Sequence, residues 1–569
     1  MRFLIAAALF VISVFMMVFG LAQRTIWAPP ASHIAEISIE SPDQFIVVPN
    51  ALLKAHSGTP QIQAFGEGQV FLASAREADI DAWIGSVTHS KLVIDKTKSV
   101  LENQVVLGAL NSGSPVGSDL WRSQVVEDAS ASISVNTNAA NAVLIASDGL
   151  GPAPTQVRLT WPIVPNFTSS NFLLIGGGIL LISAFVLNTL AYQNMRRNRG
   201  PRRRMPTPPK PPRYKAKRTK PTAPLKGRRS ARRRAMIAVP ATLTVMSLLS
   251  GCQLMPQVAP IPSASATPAV DAPPAVVTTE QLQRILADVS KVAEAGDVAI
   301  DAKLLKSRIT GPALAIRTTH YKLQKKSETV APMPAIVGSP LSFSLPAASN
   351  SWPRIIMAVT DEAGDEALPQ MLVLQQDTPR SQYKLWYNIR LMPGAEIPAV
   401  AAPELGAIPV ESDSLFLKLA PKSVPWAYGD AINKGQASLN FGLFNTSEDE
   451  FFIQVSASQK KQIETLTEAN ITFAHKLGNK NVASLSTSDS GALVAVYMTD
   501  TYRIKPKSAG SAVAVSGQEK LLLGTDGSTT GVTSVYGNMM LFYVPALSEA
   551  EKRIQLLGVT QGLISVKVL

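Results

Sequence analysis

Two stretches of this chain, each about twenty residues long, carry no Asp, Glu, Lys or Arg, and they restrict the fold more than any other feature. Residues 3–22 read "FLIAAALFVISVFMMVFGLA", and residues 172–192 read "FLLIGGGILLISAFVLNTLAY". At ~1.5 Å per residue, a helix of that length matches the ~30 Å apolar layer of a bilayer. The alternative for either is the core helix of a soluble protein, and the complete lack of charge weighs against it.

The second run leads straight into "MRRNRGPRRRMPTPPKPPRYKAKRTKPTAPLKGRRSARRR". Residues 196–234 hold 18 of the 54 Lys and Arg and no acid, so removing those 18 takes the net charge from +13 to −5. Basic residues beside a span stay on the cytoplasmic side. The expected membrane-surface set is Arg196, Arg197, Arg199, Arg202, Arg203, Arg204, Arg228, Arg229, Arg232, Arg233 and Arg234. A nucleic-acid tail is the rival reading, disfavoured by the position next to membrane segments, and no nucleic-acid partner is expected. The prolines forbid a continuous helix and leave a loop that can touch anionic lipid head groups. With this loop inside, Met1 is inside and residues 23–171 are outside. Gly20 and Ala22 also fit a signal-peptidase site, but the first apolar run exceeds the usual signal core and favours an uncleaved anchor.

"RRSARRRAMIAVPATLTVMSLLSGC", ending at Cys252, has the three parts of an export signal: a basic start, 16 apolar residues and Leu249-Ser250-Gly251-Cys252. Those last four fit a lipobox, in which cutting before the cysteine and diacylating it anchors the new N-terminus. A short third transmembrane helix ending in Gly-Cys is the alternative. Cys252 is the single cysteine of the chain, which excludes an internal disulfide, a CxxC redox pair and a Cys-rich zinc site. Residues 253–278 are a Pro/Ala/Ser tether too poor in core-forming residues to fold.

The chain of 569 residues has room for about three domains. Residues 25–170 read as a mostly β exported domain, a small sandwich or barrel. In it "QIQAFGEGQVFLASA" is expected as two short strands around a Gly-Glu-Gly turn, and "EADIDAWIG" as a short helix. Further on, Thr278 and Gln281 form a capping-box pattern, Leu282, Ile285, Leu286, Val289 and Val292 make one apolar stripe, and Gly296 is the expected stop. "GPALAIRTTHYKLQKK" is a second helix, and the period then changes to two in "WPRIIMAVT", "LPQMLVLQQ" and "QYKLWYNIRLM". The order repeats: "VPWAYGDAINKG" and a helix capped by Ser447 and Glu450 precede four further strands. The expected parts are a signal anchor at 1–24, the β domain at 25–170, a second span at 171–193 and the basic loop at 194–235. An internal signal or third span follows at 236–252, the tether at 253–278, and two α+β units with antiparallel sheets at 279–397 and 398–569.

Helices leading into an antiparallel sheet, twice, resemble a tandem pair of NTF2-like (SnoaL-like) cone folds. Over nearly the whole chain, "LAQRTIWAPP", "GPRRRMPTPPKPPRYK", "KGRRSARRRAMIAVP", "LSGC", "SWPRIIMAV" and "TQGLISVKVL" resemble an uncharacterised family of actinobacterial envelope proteins, some labelled glycosyltransferases. The resemblance implies this order of membrane and exported parts and brings no catalytic residue.

Motifs with chemistry are few. Asp79 and Asp81 form a D-x-D, but they sit in the first turn of a helix without a βαβ nucleotide-binding pattern. Ser458 and Lys461 fit S-x-x-K without its companion motifs, on what reads as a solvated helix face. Histidines 33, 56, 89, 320 and 475 are scattered, with His320 expected as a satisfied core residue beside Ala313, Ile316 and Leu323. Asp361, Glu362, Asp365 and Glu366 lack calcium-loop spacing and read as a hairpin turn. No catalytic residue, metal or cofactor is therefore expected. The function read from the sequence is a non-enzymatic envelope membrane protein or lipoprotein. Its expected partners are the lipid bilayer, a wall polymer or an envelope membrane protein. The alternative is a wall-modifying transferase or hydrolase whose site no motif reveals.

Overall fold

The computed structural model describes residues 2–28, 30–95, 100–109, 113–137, 141–163, 167–197, 273–361, 368–478 and 482–569. The chain divides into two compact units, residues 1–28 with 166–270, and residues 29–165 with 271–569. In the first unit, helices α1 (Arg2–Ala22) and α4 (Thr168–Arg197) form an antiparallel hairpin. Ser13 Oγ donates to the Gly177 carbonyl at 2.8 Å, and Ser170 Oγ to that of Gly20 at 2.7 Å. A Cβ at residue 177 would stand 2.8 Å from the Met17 side chain, so glycine is what lets the backbones come this close. The outer faces present Leu4, Phe15, Phe172 and Phe185, each more than 70% exposed. Both helices are long and apolar enough to cross a membrane.

The second unit begins with an eight-stranded sheet. Its strands are β1 (Ser32–Ser38), β2 (Phe45–Val48), β3 (Gln61–Arg76), β4 (His89–Asp95), β5 (Val100–Val106), β6 (Ser123–Ser134), β7 (Asn141–Ala146) and β8 (Gln156–Pro162). The order is β1-β8-β3-β7-β2-β4-β5, with β6 on β3, and β1 approaches β5 so that the sheet is nearly closed into a barrel. Helices α2 (Asn50–Leu53) and α3 (Glu77–Ile84) interrupt it. The expected turn at Gly66-Glu67-Gly68 is instead a break in register within one long strand, because β6 pairs with β3 on both sides of it. Strand β2, "FIVV", is buried throughout. Ile46 and Val48 enter one core with Ile62, Leu72 and Ile145, while Phe45 and Val47 enter another with Phe71, Trp83 and Trp121.

Beyond residue 272, Thr278 and Gln281 form the expected capping box on α5 (Thr279–Ala299), whose Leu282, Ile285, Leu286 and Val289 are fully buried. Each such side chain contributes roughly 1.5–3 kcal/mol by leaving water. The helix runs past Gly296, whose bare face admits Leu305, since a Cβ there would meet it at 2.3 Å. Helices α6 (Ala302–Leu305) and α7 (Gly311–Gln324) follow, then β9 (Leu341–Pro346), β10 (Arg354–Thr360), β11 (Gln370–Gln376) and β12 (Lys384–Arg390) in one antiparallel sheet. Next come α8 (Val424–Lys434) and α9 (Glu450–Thr465), with β13 (Ala469–Leu477), β14 (Ala483–Ser486) and β15 (Ala492–Pro506). The ribbon of β16 (Val513–Ala514) and β17 (Gly527–Ser528) encloses α10 (Gly517–Leu523), and β18 (Val532–Val544) and β19 (Gln555–Val568) close the chain described. The second antiparallel sheet runs β13-β15-β18-β19, with β14 on β15. The cap of α9 is Asp449 rather than Ser447, because the buried Asp449 carboxylate accepts from the Phe452 N–H while Tyr428 Oη holds it at 2.7 Å.

The boundary expected near residue 397 separates two sheets but not two cores. Along β15 the side chains alternate. Leu493, Ala495 and Tyr497 share a core with Met357, Val373 and Tyr387 of the first sheet. Val494, Val496 and Met498 face Tyr428 and Phe452 on the helices. Both faces of this strand are covered, which accounts for its unbroken apolar run.

Ion pairs join residues 30–163 to residues 273–569. Arg76 grips Asp79 with two bonds of 2.7 Å, and Arg354 Nη2 reaches the same carboxylate at 2.7 Å. Arg308 binds Asp119 at 2.5 and 3.1 Å, and the Tyr383 N–H donates to Asp119 at 2.7 Å. Gln281, Arg284 and Arg380 donate to the carbonyls of Leu120, Trp121 and Trp83.

Asp489, in the turn before β15, gives this unit an acid limit. Partial burial would raise its pKa. Hydrogen bonds from Thr487 and Tyr543, the Lys552 ammonium and the Gly491 N–H nevertheless hold it well below the carboxylate range. A depressed acid stabilises the fold above its unfolded pKa of ~3.9, and that contribution fades as pH falls below it. Urea midpoints measured at pH 5 and pH 3 should therefore fall less in Asp489→Asn than in the wild type. Equal falls would show that the pairing adds nothing.

Candidate functional site

The second sheet places a histidine and an aspartate where periodicity alone would not. His475 on β13 and Asp500 on β15 are direct cross-strand partners. Asp500 falls on the same alternation as Val496 and Met498, so both side chains face α8 and α9. His475 Nδ1 and Asp500 Oδ1 are 2.5 Å apart, and Asn538 of β18 donates to Asp500 Oδ2 at 2.6 Å. The other ring nitrogen, Nε2, meets Asn433 Oδ1 of α8 at 3.0 Å and the Gln459 amide of α9 at 3.2 Å. Nδ1 thus faces a carboxylate oxygen, while Nε2 lies between one amide oxygen and one amide nitrogen. The side chains of the pair are 1% and 0% exposed. Gly429 of α8 makes room for the ring, as a Cβ there would stand 2.2 Å from that of His475.

In front of this pair, between α8 and α9, lies a cleft of roughly 530 Å³. Ile432, Ile463 and Phe473 supply apolar walls, and Lys460 and Glu464 also line it. Its polar atoms include the Asn433 and Gln459 amides and Ser456 Oγ, which has no hydrogen-bond partner among the described residues. His475 itself stays one layer behind its two amide neighbours. Such a cleft can hold a partly apolar molecule and hydrogen-bond a polar group on it, with the buried pair fixing the amides.

The expected site residues fall elsewhere or outside the described residues. Asp79 of the D-x-D is fully committed to Arg76 and Arg354, whereas Asp81 is exposed. Ser458 and Lys461 do lie on a solvated face, but Gln459 between them turns inward to His475. His33 and His56 stack on each other at 4.2 Å, and His56 is lowered by burial and by His33. His320 is half-buried and bonds the Ala331 carbonyl at 2.8 Å. Arg196 and Arg197 end α4, with Arg196 over the Tyr192 ring. The remaining arginines of the basic set, Leu249, Ser250, Gly251 and Cys252, and Glu362, Asp365 and Glu366 lie outside the described residues. Among the described residues, no group of three or more His, Cys, Asp or Glu is placed to hold a metal ion. Sequence reasoning passes over His475. Its one local sign is a histidine inside an otherwise apolar strand pattern, and that reveals no partner.

No curated protein and no solved structure matches this chain. A domain of unknown function, DUF8094, matches residues 273–567 and so takes in both antiparallel sheets, their shared core and the cleft. That match covers just over half of the sequence, and the chain belongs to the DUF8094 family.

Proposed function

We propose that this is a non-enzymatic, membrane-anchored envelope protein whose exported body binds a lipid, a wall component or a membrane-protein partner, with the α8–α9 cleft as its binding site. The observation that carries the binding reading is the burial of His475 behind Asn433 and Gln459, which leaves the cleft amide-floored and apolar-walled. The α1–α4 hairpin, with its apolar outer faces, supports the anchor. The basic residues after α4 support a cytoplasmic loop with both exported segments outside. Leu249-Ser250-Gly251-Cys252 is read as a lipobox, the two helix-and-sheet halves as tandem NTF2-like cones, and the whole as a member of the actinobacterial envelope family it resembles. A wall-modifying transferase or hydrolase is the second reading, favoured only by the His475–Asp500 pair.

Topology and binding are tested separately. Cysteines placed at Ser130 and Ser351 in a Cys252→Ser background should react with an impermeant maleimide in intact cells, and one at Thr219 should not. Labelling of Thr219 alone would sink the anchor reading. For the cleft, lipids extracted from purified protein should include an enriched class that is absent from a Ser456→Trp variant. Identical extracts would exclude lipid binding there.

A further inference from the structure

We propose that residues 30–163 and residues 273–569 are obligate partners that stay bound to each other when the chain between them is cut. Each cross-segment ion pair takes its acid from the first segment and its arginine from the second: Asp79 with Arg354, and Asp119 with Arg308. All four side chains are no more than 6% exposed. Asp119 finds every side-chain partner, Arg308 and the Tyr383 N–H, in the other segment. Around these pairs, Trp352 packs against the core of Phe45, Trp83 and Trp121, and the Arg380 guanidinium lies 4.7 Å over the Trp83 ring. Parting the segments would strand charges and uncover tryptophans, a cost typical of permanent interfaces rather than of passing contacts. Covalent continuity through residues 198–272 adds only effective concentration to such a seam. If Cys252 is a processing site, its two products remain one complex. The inference stands whether or not that cut is made in the cell.

The test uses the whole protein in detergent, with tags at both ends and a site-specific protease sequence inserted between Ser263 and Ala264. After cutting, the fragment carrying α1 and α4 should be retained with the C-terminal tag through a 1 M NaCl wash, because buried pairs are screened little by salt. It should also co-elute in size exclusion. Separation of the fragments under these conditions overturns the proposal. A variant with Arg284→Ala and Arg380→Ala removes donors at the exposed margin and leaves the buried pairs intact. After cutting it should dissociate about tenfold or more faster than the wild type, since interface changes act mainly on off-rates. If the uncut proteins melt alike and the cut variant dissociates no faster, the seam described is not what holds the fragments.

Discussion

Asp79→Ala should largely unfold the unit built from residues 30–163 and 273–569, while Asp81→Ala two residues away should leave it intact. Asp79 is the shared anion of Arg76 and Arg354, with its side chain 3% exposed, and removing it leaves two buried guanidinium groups without a counter-charge. Deleting one partner of a buried pair costs about 3–5 kcal/mol, a large part of the ~5–15 kcal/mol by which a domain is stable. Asp81 is exposed and has no comparable bond. Urea unfolding followed by near-UV circular dichroism reads both variants. A triple variant that combines Asp79→Leu with Arg76→Met and Arg354→Met should recover most of the loss, because apolar side chains of similar volume often substitute for buried charges. Adding manganese should shift no midpoint. Stabilisation by manganese that depends on both Asp79 and Asp81 would instead mark this acid pair as a metal site.

His475→Ala is expected to cost a similar ~3–5 kcal/mol, because Asp500 would keep only the Asn538 amide at a fully buried site. The emptied ring volume adds a cavity. Asn433→Ala should cost no more than ~1.5 kcal/mol, the usual net worth of one hydrogen bond, because Asn433 is exposed and water can replace it. Chemical denaturation of the two variants side by side measures the contrast. A His475→Ala protein as stable as the wild type would mean that the pair is not a structural brace. Its burial would then be kept for chemistry at the cleft.

What is legible in the sequence follows from the range of the interactions. The capping box of Thr278 and Gln281 is complete within four residues, and helix α5 starts where those residues place it. The short apolar run in "GALVAVYMTDTYRIK", rich in valine and bounded by Gly491, similarly announces β15. The bulge at Gly66–Gly68 reads as a turn because a glycine pair looks alike in both, and only pairing with β6 distinguishes them. His475 and Asp500 are 25 residues apart, and their meeting depends on the register between β13 and β15. A slip by one residue would turn one of them to the opposite face. The seam is less legible still, because each of its charges looks like an ordinary surface residue until a distant partner covers it.

That seam also sets the order in which the protein can mature. Asp79 and Arg354 are 275 positions apart. At ~5–20 residues per second, the ribosome delivers the second of them roughly 15–55 s after the first. Throughout that interval the nascent β segment has an uncovered tryptophan face and an unanswered Asp119, both suited to a holding chaperone. Closure needs both segments in the same compartment, so a chain threaded with them on opposite sides of a bilayer never completes it. The tryptophan face of such a chain stays uncovered, so burial of Trp83 and Trp121 would report that the two segments have met.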